Sequence, residues 1–239
     1  MNTQIKDLEV MDYPPLTEDL EEAKEHLDLY GMALIKNVLS TDEVDQMDQR
    51  LTEQFFGEEK FKVGSKVRGD EGLGVESSEE EKVSRLVWNL INKGDCFLKL
   101  IDHPKILPLI QHIIGERVCL CSMGAHMNGS GNERMALHQD QWPLVPHPMD
   151  FAFMANVMYL ISDNSQENGG TRLIPGSHKW PVLDYKTANS EEIQKMAVSL
   201  NAPKGTAIVW EGRVWHGNGL NRSGSIRSNI STAFLQPWV

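Results

Sequence analysis

The second half of the chain is a series of short apolar or alternating runs, separated by turns rich in Gly, Asn and Pro. The four clearest runs cover residues 118–123, 151–161, 206–210 and 227–234. Short runs of this kind between turn signals are typical of strands, and several in succession indicate a β-sandwich or a barrel. The pattern therefore limits the chain to a fold whose core is built from sheets.

The first 116 residues show mostly helical periodicity. It predicts one helix that ends at Gly31, one that begins after Ser40, one over residues 83–91 and one from Pro104 to Gly115, with a strand at residues 32–35. Ser40 and Glu43 have the spacing of a capping box, which makes the second helix the best defined. We expect a single domain over residues 1–239, mainly β with flanking helices, in which a largely helical part at 1–116 buttresses a core at 117–239.

Residues 57–82 are polar, with several glycines and an acidic run at residues 76–81. Such a composition predicts a long loop. Two interpretations stay open at this point: a lid over a binding site, or a solvated surface loop without a function.

The composition of the chain limits which cellular compartment and which classes of partner are expected. The chain is 40% hydrophobic and 24% charged, as is usual for a globular protein in water. Its net charge of −11 argues against a nucleic-acid partner, which would need a basic surface. Three cysteines, no signal-like N-terminus and no apolar run of about 18 residues predict a reduced, cytoplasmic protein with no membrane partner.

His138, Asp140 and His216 form a possible metal-binding set. On a strand, His138 and Asp140 would project to the same side, and His216 follows another β-like run far along the chain. His-x-Asp alone is a weak signal, since a surface pair or a helix-capping Asp has the same spacing. Two imidazoles and one carboxylate are, however, the ligand set of non-haem iron(II) sites that leave positions open for a cosubstrate and oxygen.

Arg227 follows the second histidine at a distance that a strand, a turn and a returning strand can span. A guanidinium group matches a carboxylate through two parallel hydrogen bonds, so an arginine near the metal suggests a cosubstrate with a carboxylate. Arg222 is the other candidate, but Asn221 and Ser223 beside it indicate a turn, which favours Arg227.

Three segments in order along the chain resemble motifs of the phytanoyl-CoA dioxygenase family. LHQDQW (residues 137–142) is similar to the family's first metal motif, and ENGGTRLIPGSH (167–178) looks like its hallmark segment. WHGNGLNRS (215–223), continuing to Arg227, resembles its closing motif. The likeness extends more loosely to the N-terminal helices and so covers nearly the whole chain.

This resemblance implies a double-stranded β-helix, the cupin-like jelly roll. It implies that His138, Asp140 and His216 bind Fe(II), that Arg227 binds the distal carboxylate of 2-oxoglutarate, and that oxygen is the second cosubstrate. Thr171 resembles a position where relatives place a hydroxyl against 2-oxoglutarate, although a role at a strand end is the alternative. No catalytic side chain beyond the metal ligands is predicted. His178, in a turn, is expected to be structural.

The chain departs from the family pattern in two places. Many relatives have a glutamine two or three residues before the first metal histidine, where this chain has Ala136 and Met135. Another group must then complete the keto-acid pocket. Relatives also continue beyond the position of Val239, so a neighbouring subunit of a homodimer is one candidate to cover that region.

The sequence predicts a dioxygenase that oxidises an unactivated C–H bond of a small organic molecule, with release of succinate and CO2. Related halogenases have a small residue in place of Asp140, so its presence favours hydroxylation, desaturation or rearrangement. Residues 142–146 and apolar residues after 150 are candidates for a substrate pocket or for core. The resemblance favours a natural-product intermediate as substrate. The alternatives are a carrier-bound acyl substrate, a non-catalytic cupin-like metal-binding protein, and a zinc hydrolase.

Overall fold

The computed structural model describes residues 8, 11–67, 84–129, 135–141, 150–181, 183–223 and 225–239. The helices in these ranges are α1 (Leu20–Tyr30), α2 (Thr41–Lys60), α3 (Asp95–Leu98), α4 (Leu107–Ile114), α5 (Tyr185–Ala188) and α6 (Glu191–Met196). The strands are β1 (Leu16–Thr17), β2 (Met32–Ile35), β3 (Ser65–Val67), β4 (Ser84–Trp88), β5 (Cys119–Asn128), β6 (Met154–Leu160), β7 (Thr171–Leu173), β8 (Val198–Ser199), β9 (Ala207–Glu211), β10 (His216–Asn218) and β11 (Arg227–Leu235).

The strands form two sheets. The large sheet has the order β1-β2-β9-β6-β11-β5-β4-β3, and the small sheet has the order β10-β7-β8. The pairing of β1 with β2 is parallel, and the other pairings are antiparallel. The predicted fold class, a mainly β double-stranded β-helix with flanking helices, is confirmed.

The central strands of the large sheet are buried on both faces. On one face, apolar residues of α1, α2 and α4 pack with residues such as Val157 and Ile230 into the main core. On the other face, Met158, Leu160 and Trp210 pack with Leu173 of the small sheet. A central strand that is covered on both faces is expected to be mostly apolar. Strand β6 fits this expectation, because it is buried at every position and is apolar except for Asn156 and the hydroxyl of Tyr159. The space between the two sheets is where the candidate site lies.

The structure confirms the best-defined sequence signals. Helix α1 ends at Gly31, whose φ of 73° is the left-handed conformation expected after a helix. The capping box is formed, because the Ser40 backbone N–H donates to Glu43 at 2.8 Å and the Glu43 N–H donates to the Ser40 hydroxyl at 3.3 Å. Strands at residues 32–35 and at the four predicted β runs are also present.

The helix predicted over residues 83–91 is wrong. Residues 84–88 form strand β4, which pairs with β3 and β5. Leu86 and Val87 lie on opposite sides of this strand, and both are buried. Two adjacent apolar residues in a short buried strand fit the spacing of an amphipathic helix equally well, which explains the wrong prediction. The first 116 residues thus supply strands to the large sheet as well as helices.

The loop predicted over residues 57–82 is also partly wrong. Helix α2 continues to Lys60, and residues 65–67 form β3. The acidic run, and with it the question of a lid, lies outside the described residues. No helix within the described ranges has the length and apolar composition of a membrane span.

A turn in the hallmark segment offers a stability test. Gly169 has a φ of +70°, and a Cβ at this position would lie 2.6 Å from the backbone N of Asn221. We expect Gly169→Ala to lower the free energy of unfolding by roughly 2–4 kcal/mol, because it combines a strained φ with a backbone clash. Gly57→Ala is the matched control: nothing lies within 4 Å, the residue is in α2, and the change should raise stability by about 0.5–1 kcal/mol. Equal effects of the two changes on chemical denaturation would contradict this explanation.

Candidate active site

The two histidines of the predicted metal set lie on neighbouring segments of backbone. The His138 N–H donates to the His216 carbonyl and the His216 N–H donates to the His138 carbonyl, both at 3.0 Å. This reciprocal pair is an isolated antiparallel bridge beside β10. It brings together residues that are far apart in sequence, with their ring centroids 4.3 Å apart.

Asp140 completes the cluster. Its Oδ1 lies 3.4 Å from Nε2 of His138, and its Oδ2 lies 3.2 Å from Nε2 of His216. One ligand atom from each of the three residues falls within 4.8 Å of the others. Three such atoms that converge on one point are arranged to share a metal ion, and two imidazoles with one carboxylate suit iron(II).

The backbone fixes which ring nitrogen faces the centre. Nδ1 of His138 lies 3.2 Å from the Ala136 carbonyl oxygen, and Nδ1 of His216 lies 3.0 Å from the Val214 carbonyl oxygen. A carbonyl only accepts, so each Nδ1 carries the proton and donates it. Each Nε2 then faces Asp140, where it holds a proton donated to the carboxylate in the metal-free protein and would expose, once that proton leaves, the lone pair that a metal-ligating histidine requires.

Asp140 is ionised in this setting. Burial by itself would raise its pKa, but the charge of His216 and hydrogen bonds from both histidines outweigh burial and hold the pKa well below its usual range. Asn156 adds a further hydrogen bond, from Nδ2 to Asp140 Oδ2 at 2.9 Å. The cluster of His138, Asp140 and His216 therefore offers a cation one negative charge, on Asp140.

Asn156 is a site residue that the sequence did not reveal. It lies in the buried strand β6, and a buried asparagine in an apolar run is the signal that would have marked it. Asn156→Leu should lower the affinity of the protein for Fe(II) roughly 10–100-fold, because Asp140 would lose the hydrogen bond that fixes its orientation. Isothermal titration with Fe(II) checks this, and Asn164→Leu tests whether loss of another buried amide, away from the cluster, has the same effect. Unchanged Fe(II) affinity in Asn156→Leu would contradict the positioning role.

Arg227 is buried at the first position of β11 and is 1% exposed. Its Nη2 donates to the Asn218 side-chain oxygen at 3.1 Å, while Nε and Nη1 have no hydrogen-bond partner among the described residues. Burial lowers its pKa to about 10, which still leaves the guanidinium charged at neutral pH. A buried cation with two unused donors is costly unless an anion joins it, so this geometry fits a bound carboxylate.

The side chains of Thr171 and Arg227 both contact the side-chain oxygen of Asn218. The Thr171 hydroxyl lies 3.4 Å from the same Asn218 oxygen that Arg227 contacts, and 3.1 Å from the sulfur of Met158. Thr171 pairs with Asn218 across β7 and β10, two residues beyond His216. Asn218 thereby links the arginine to the strand that carries the second histidine, a connection that sequence reasoning missed.

A cavity of about 200 Å³ lies against these groups. The three clustered residues, Thr171 and Asn218 line it, together with His126, Trp210 and side chains from β5, β6 and β11. Methionines contribute much of its apolar wall: Met135, Met154 and Met158. The cavity thus joins the His138, Asp140 and His216 cluster to Asn218, which accepts a hydrogen bond from Arg227 behind the cavity wall.

The competing sequence candidates lie elsewhere. Arg222 is exposed, and its backbone N–H donates to the Glu167 carbonyl beside the isolated bridge between Asn168 and Asn221. His178 is buried in a 3-10 turn that begins at Ser177 and does not belong to the metal-binding group. Residues 142–146, named above as candidates for a substrate pocket or for core, lie outside the described residues.

Comparison with known proteins places this geometry in a family. The family model named "Phytanoyl-CoA dioxygenase (PhyH)" matches residues 27–229, most of the chain. The chain belongs to the phytanoyl-CoA dioxygenase family. The cluster, Thr171 and Asn218 lie within the matched residues, and Arg227 is near their end.

Two proteins named as dioxygenases show moderate sequence similarity to this chain. Dioxygenase af480 of Aspergillus fumigatus is 29% identical over 206 residues, which cover 86% of this chain and 63% of that protein. A probable alpha-ketoglutarate-dependent hypophosphite dioxygenase of Stutzerimonas stutzeri is 27% identical over 162 residues, covering 62% of this chain and 55% of its own. The chain thus spans about three fifths of the length of these two relatives.

A solved structure supports the fold. The epimerase SnoN in complex with Fe3+, alpha ketoglutarate and nogalamycin RO has a TM-score of 0.68 and 18% identity, with 91% of this chain and 83% of that chain covered. At this identity the likeness concerns the fold, and it agrees with the two-sheet architecture described above.

Proposed function

We propose that the protein is a non-haem iron(II)- and 2-oxoglutarate-dependent dioxygenase. One observation carries the proposal: a two-histidine, one-carboxylate cluster lines a cavity together with Asn218, whose side chain accepts a hydrogen bond from a buried, under-partnered arginine. A metal-binding cluster alone would also suit a zinc hydrolase, but that interpretation leaves the buried charge of Arg227 without a purpose. Relatives named as dioxygenases agree with the proposal.

In this proposal His138, Asp140 and His216 hold Fe(II), and Arg227 binds the distal carboxylate of 2-oxoglutarate, with Thr171 and Asn218 beside it. Iron(II), 2-oxoglutarate and O2 would supply the oxidation of a C–H bond, with succinate and CO2 as products. The side chains of the protein orient these groups and exclude water from the cavity. Asp140 keeps a carboxylate at the metal, which favours hydroxylation, desaturation or rearrangement.

The cavity favours a small, neutral organic substrate. Among the described residues that line it, Asp140 is the one carboxylate and no lysine or arginine is present. A phosphate-bearing or other anionic group would therefore meet no cationic side chain in the cavity, and the cosubstrate would occupy Arg227 behind Asn218. The methionine-rich wall suits an apolar molecule of variable shape, such as a natural-product intermediate. A carrier-bound acyl substrate is the less favoured alternative.

We further propose that residues 1–239 act as one domain in a reducing, cytoplasmic setting. Strands β1 to β4 from the first 116 residues join the same sheet as β5, β6 and β11, which contribute cavity-lining residues, and this supports one unit. All three cysteines are free thiols, which supports a reducing compartment. We propose neither a nucleic-acid nor a membrane partner, and a homodimer remains the candidate assembly.

The function is tested by incubating the protein with Fe(II), 2-oxoglutarate and O2 and measuring succinate, first alone and then with small apolar candidate substrates. We expect slow succinate release that requires all three components and is accelerated by a correct substrate. A zinc hydrolase would act on ester or amide substrates without O2 or keto acid, and a binding protein would release no succinate. Either result in folded protein would overturn the proposal.

A further inference from the structure

The keto-acid pocket lacks a residue that many members of the family have. The positions before His138 that often hold a glutamine are Met135 and Ala136 here. Neither side chain has the donors and acceptors of an amide, so a hydrogen bond to the cosubstrate must come from another place in the cavity. Two polar side chains on the large sheet are positioned to supply it.

Asn229 lies behind the cavity wall, on the side of β11 that carries the cavity-lining residue Ser231. Alternate residues of a strand point to the same side, and Asn229 stands between Arg227 and Ser231, which lines the cavity. The next residue, Ile230, packs into the main core on the opposite side. Asn229 therefore continues the row of side chains that begins with the buried arginine.

The amide of Asn229 has no partner. The residue is 0% exposed, and neither its Nδ2 nor its Oδ1 forms a hydrogen bond within the described part of the chain. A fully buried amide without partners is rare, and it costs more than a satisfied one unless a ligand or a bound water meets it. Its position beside Arg227 makes an oxygen-rich cosubstrate the natural partner.

His126 faces Asn229 across the sheet. The two residues are direct partners in the antiparallel pairing of β5 with β11, so their side chains share one face. His126 lines the cavity, and the edge of its ring contacts the ring of Trp88, with centroids 6.5 Å apart. Burial and the positive charge of Arg227 lower its pKa to about 4. His126 is thus a neutral imidazole, able to donate one hydrogen bond without adding charge to the site.

We propose that His126 and Asn229 form a polar wall that binds the oxygen atoms of 2-oxoglutarate between Arg227 and the metal, in the role that a glutamine before the first metal histidine has in other family members. This inference rests on the proposed function. His126 and Asn229 are positioning residues in it: they hold the keto acid and take no part in bond breaking. Their neutrality suits the site, because Arg227 and the metal already balance the cosubstrate's charges.

The test is an anaerobic titration of the Fe(II)-loaded full chain with 2-oxoglutarate, followed by the visible charge-transfer band of the bound keto acid. His126→Phe keeps the ring and removes its nitrogens, and Asn229→Leu keeps the size and removes the amide. Each should raise the Kd for 2-oxoglutarate about tenfold, the effect of one lost hydrogen bond to a charged group, with Fe(II) affinity unchanged. His126→Asn restores a donor and should recover part of the affinity. His112→Phe, on the surface of α4, should leave the Kd unchanged.

The outcomes separate this inference from the proposed function. An unchanged Kd in His126→Phe and Asn229→Leu, with a normal band in the wild-type protein, overturns the inference alone. A raised KM for the organic substrate with an unchanged Kd for the keto acid would make these residues part of the substrate pocket and would also overturn it. The absence of a band in wild-type protein removes the proposed function and the inference together. Asn229→Leu, which removes an unsatisfied polar group, keeps the test open if His126→Phe does not fold.

Discussion

Asp140→Ala is expected to abolish succinate formation and to weaken Fe(II) binding by far more than the roughly 10–100-fold that a change outside the ligand shell costs. The substitution removes the one carboxylate among the three clustered residues and leaves two imidazoles, which bind iron(II) with fewer ligands and no compensating charge. Fe(II) affinity by calorimetry and succinate release under O2 are the two measurements.

The matched control for this change is Asp102→Ala. It removes the same charge from an exposed loop position and should leave both measurements at the wild-type level. Succinate release by folded Asp140→Ala at close to the wild-type rate would remove the carboxylate from the mechanism and with it the assignment of the cluster.

Arg227→Met is expected to weaken 2-oxoglutarate binding and to stabilise the free protein at the same time. Loss of one partner of a buried charge pair costs about 2 kcal/mol or more, so the Kd for 2-oxoglutarate should rise at least about thirtyfold. In the absence of ligand, the same change removes a buried cation whose Nε and Nη1 lack partners, and the free energy of unfolding should rise by about 1 kcal/mol or more. Methionine has a similar length and fills the space.

The two effects are measured by ligand titration and by chemical denaturation without ligand. Arg222→Met provides the control, because it removes the same charge from an exposed position and should change neither quantity appreciably. A stabilising ligand raises the melting temperature of a protein that binds it, so wild-type protein with Fe(II) should gain stability from 2-oxoglutarate and Arg227→Met should not. Destabilisation of the free protein by Arg227→Met, with unchanged keto-acid binding, would show that the arginine is structural.

The sequence predicted the parts of this molecule that depend on short-range signals. The capping box at Ser40 and the left-handed Gly31 are local interactions, and both are formed as expected. The strand runs in the second half were equally clear, because turn residues separate them. The helix prediction for residues 84–88 was wrong because a short strand buried on both sides shows no alternation of polar and apolar residues. Two adjacent apolar residues in such a strand also match a helical pattern.

Only part of the site could be predicted from the sequence. His138, Asp140, His216 and Arg227 occur in motifs with recognisable spacing, and the structure brings the first three together at a cavity whose lining residue Asn218 accepts a hydrogen bond from Arg227. Asn156 and Asn218 were missed, because their roles depend on which strands become neighbours. His126 and Asn229 illustrate the same limit: their pairing follows from the register of β5 and β11, which no local pattern encodes.

The most direct test of the account is an anaerobic crystal structure of the full chain with Fe(II) and 2-oxoglutarate, in which anomalous scattering locates the iron. The account predicts one iron held by His138, Asp140 and His216, with the distal carboxylate of the keto acid paired with the Arg227 guanidinium. An iron bound elsewhere, or a keto acid that leaves Arg227 without a partner, would contradict it.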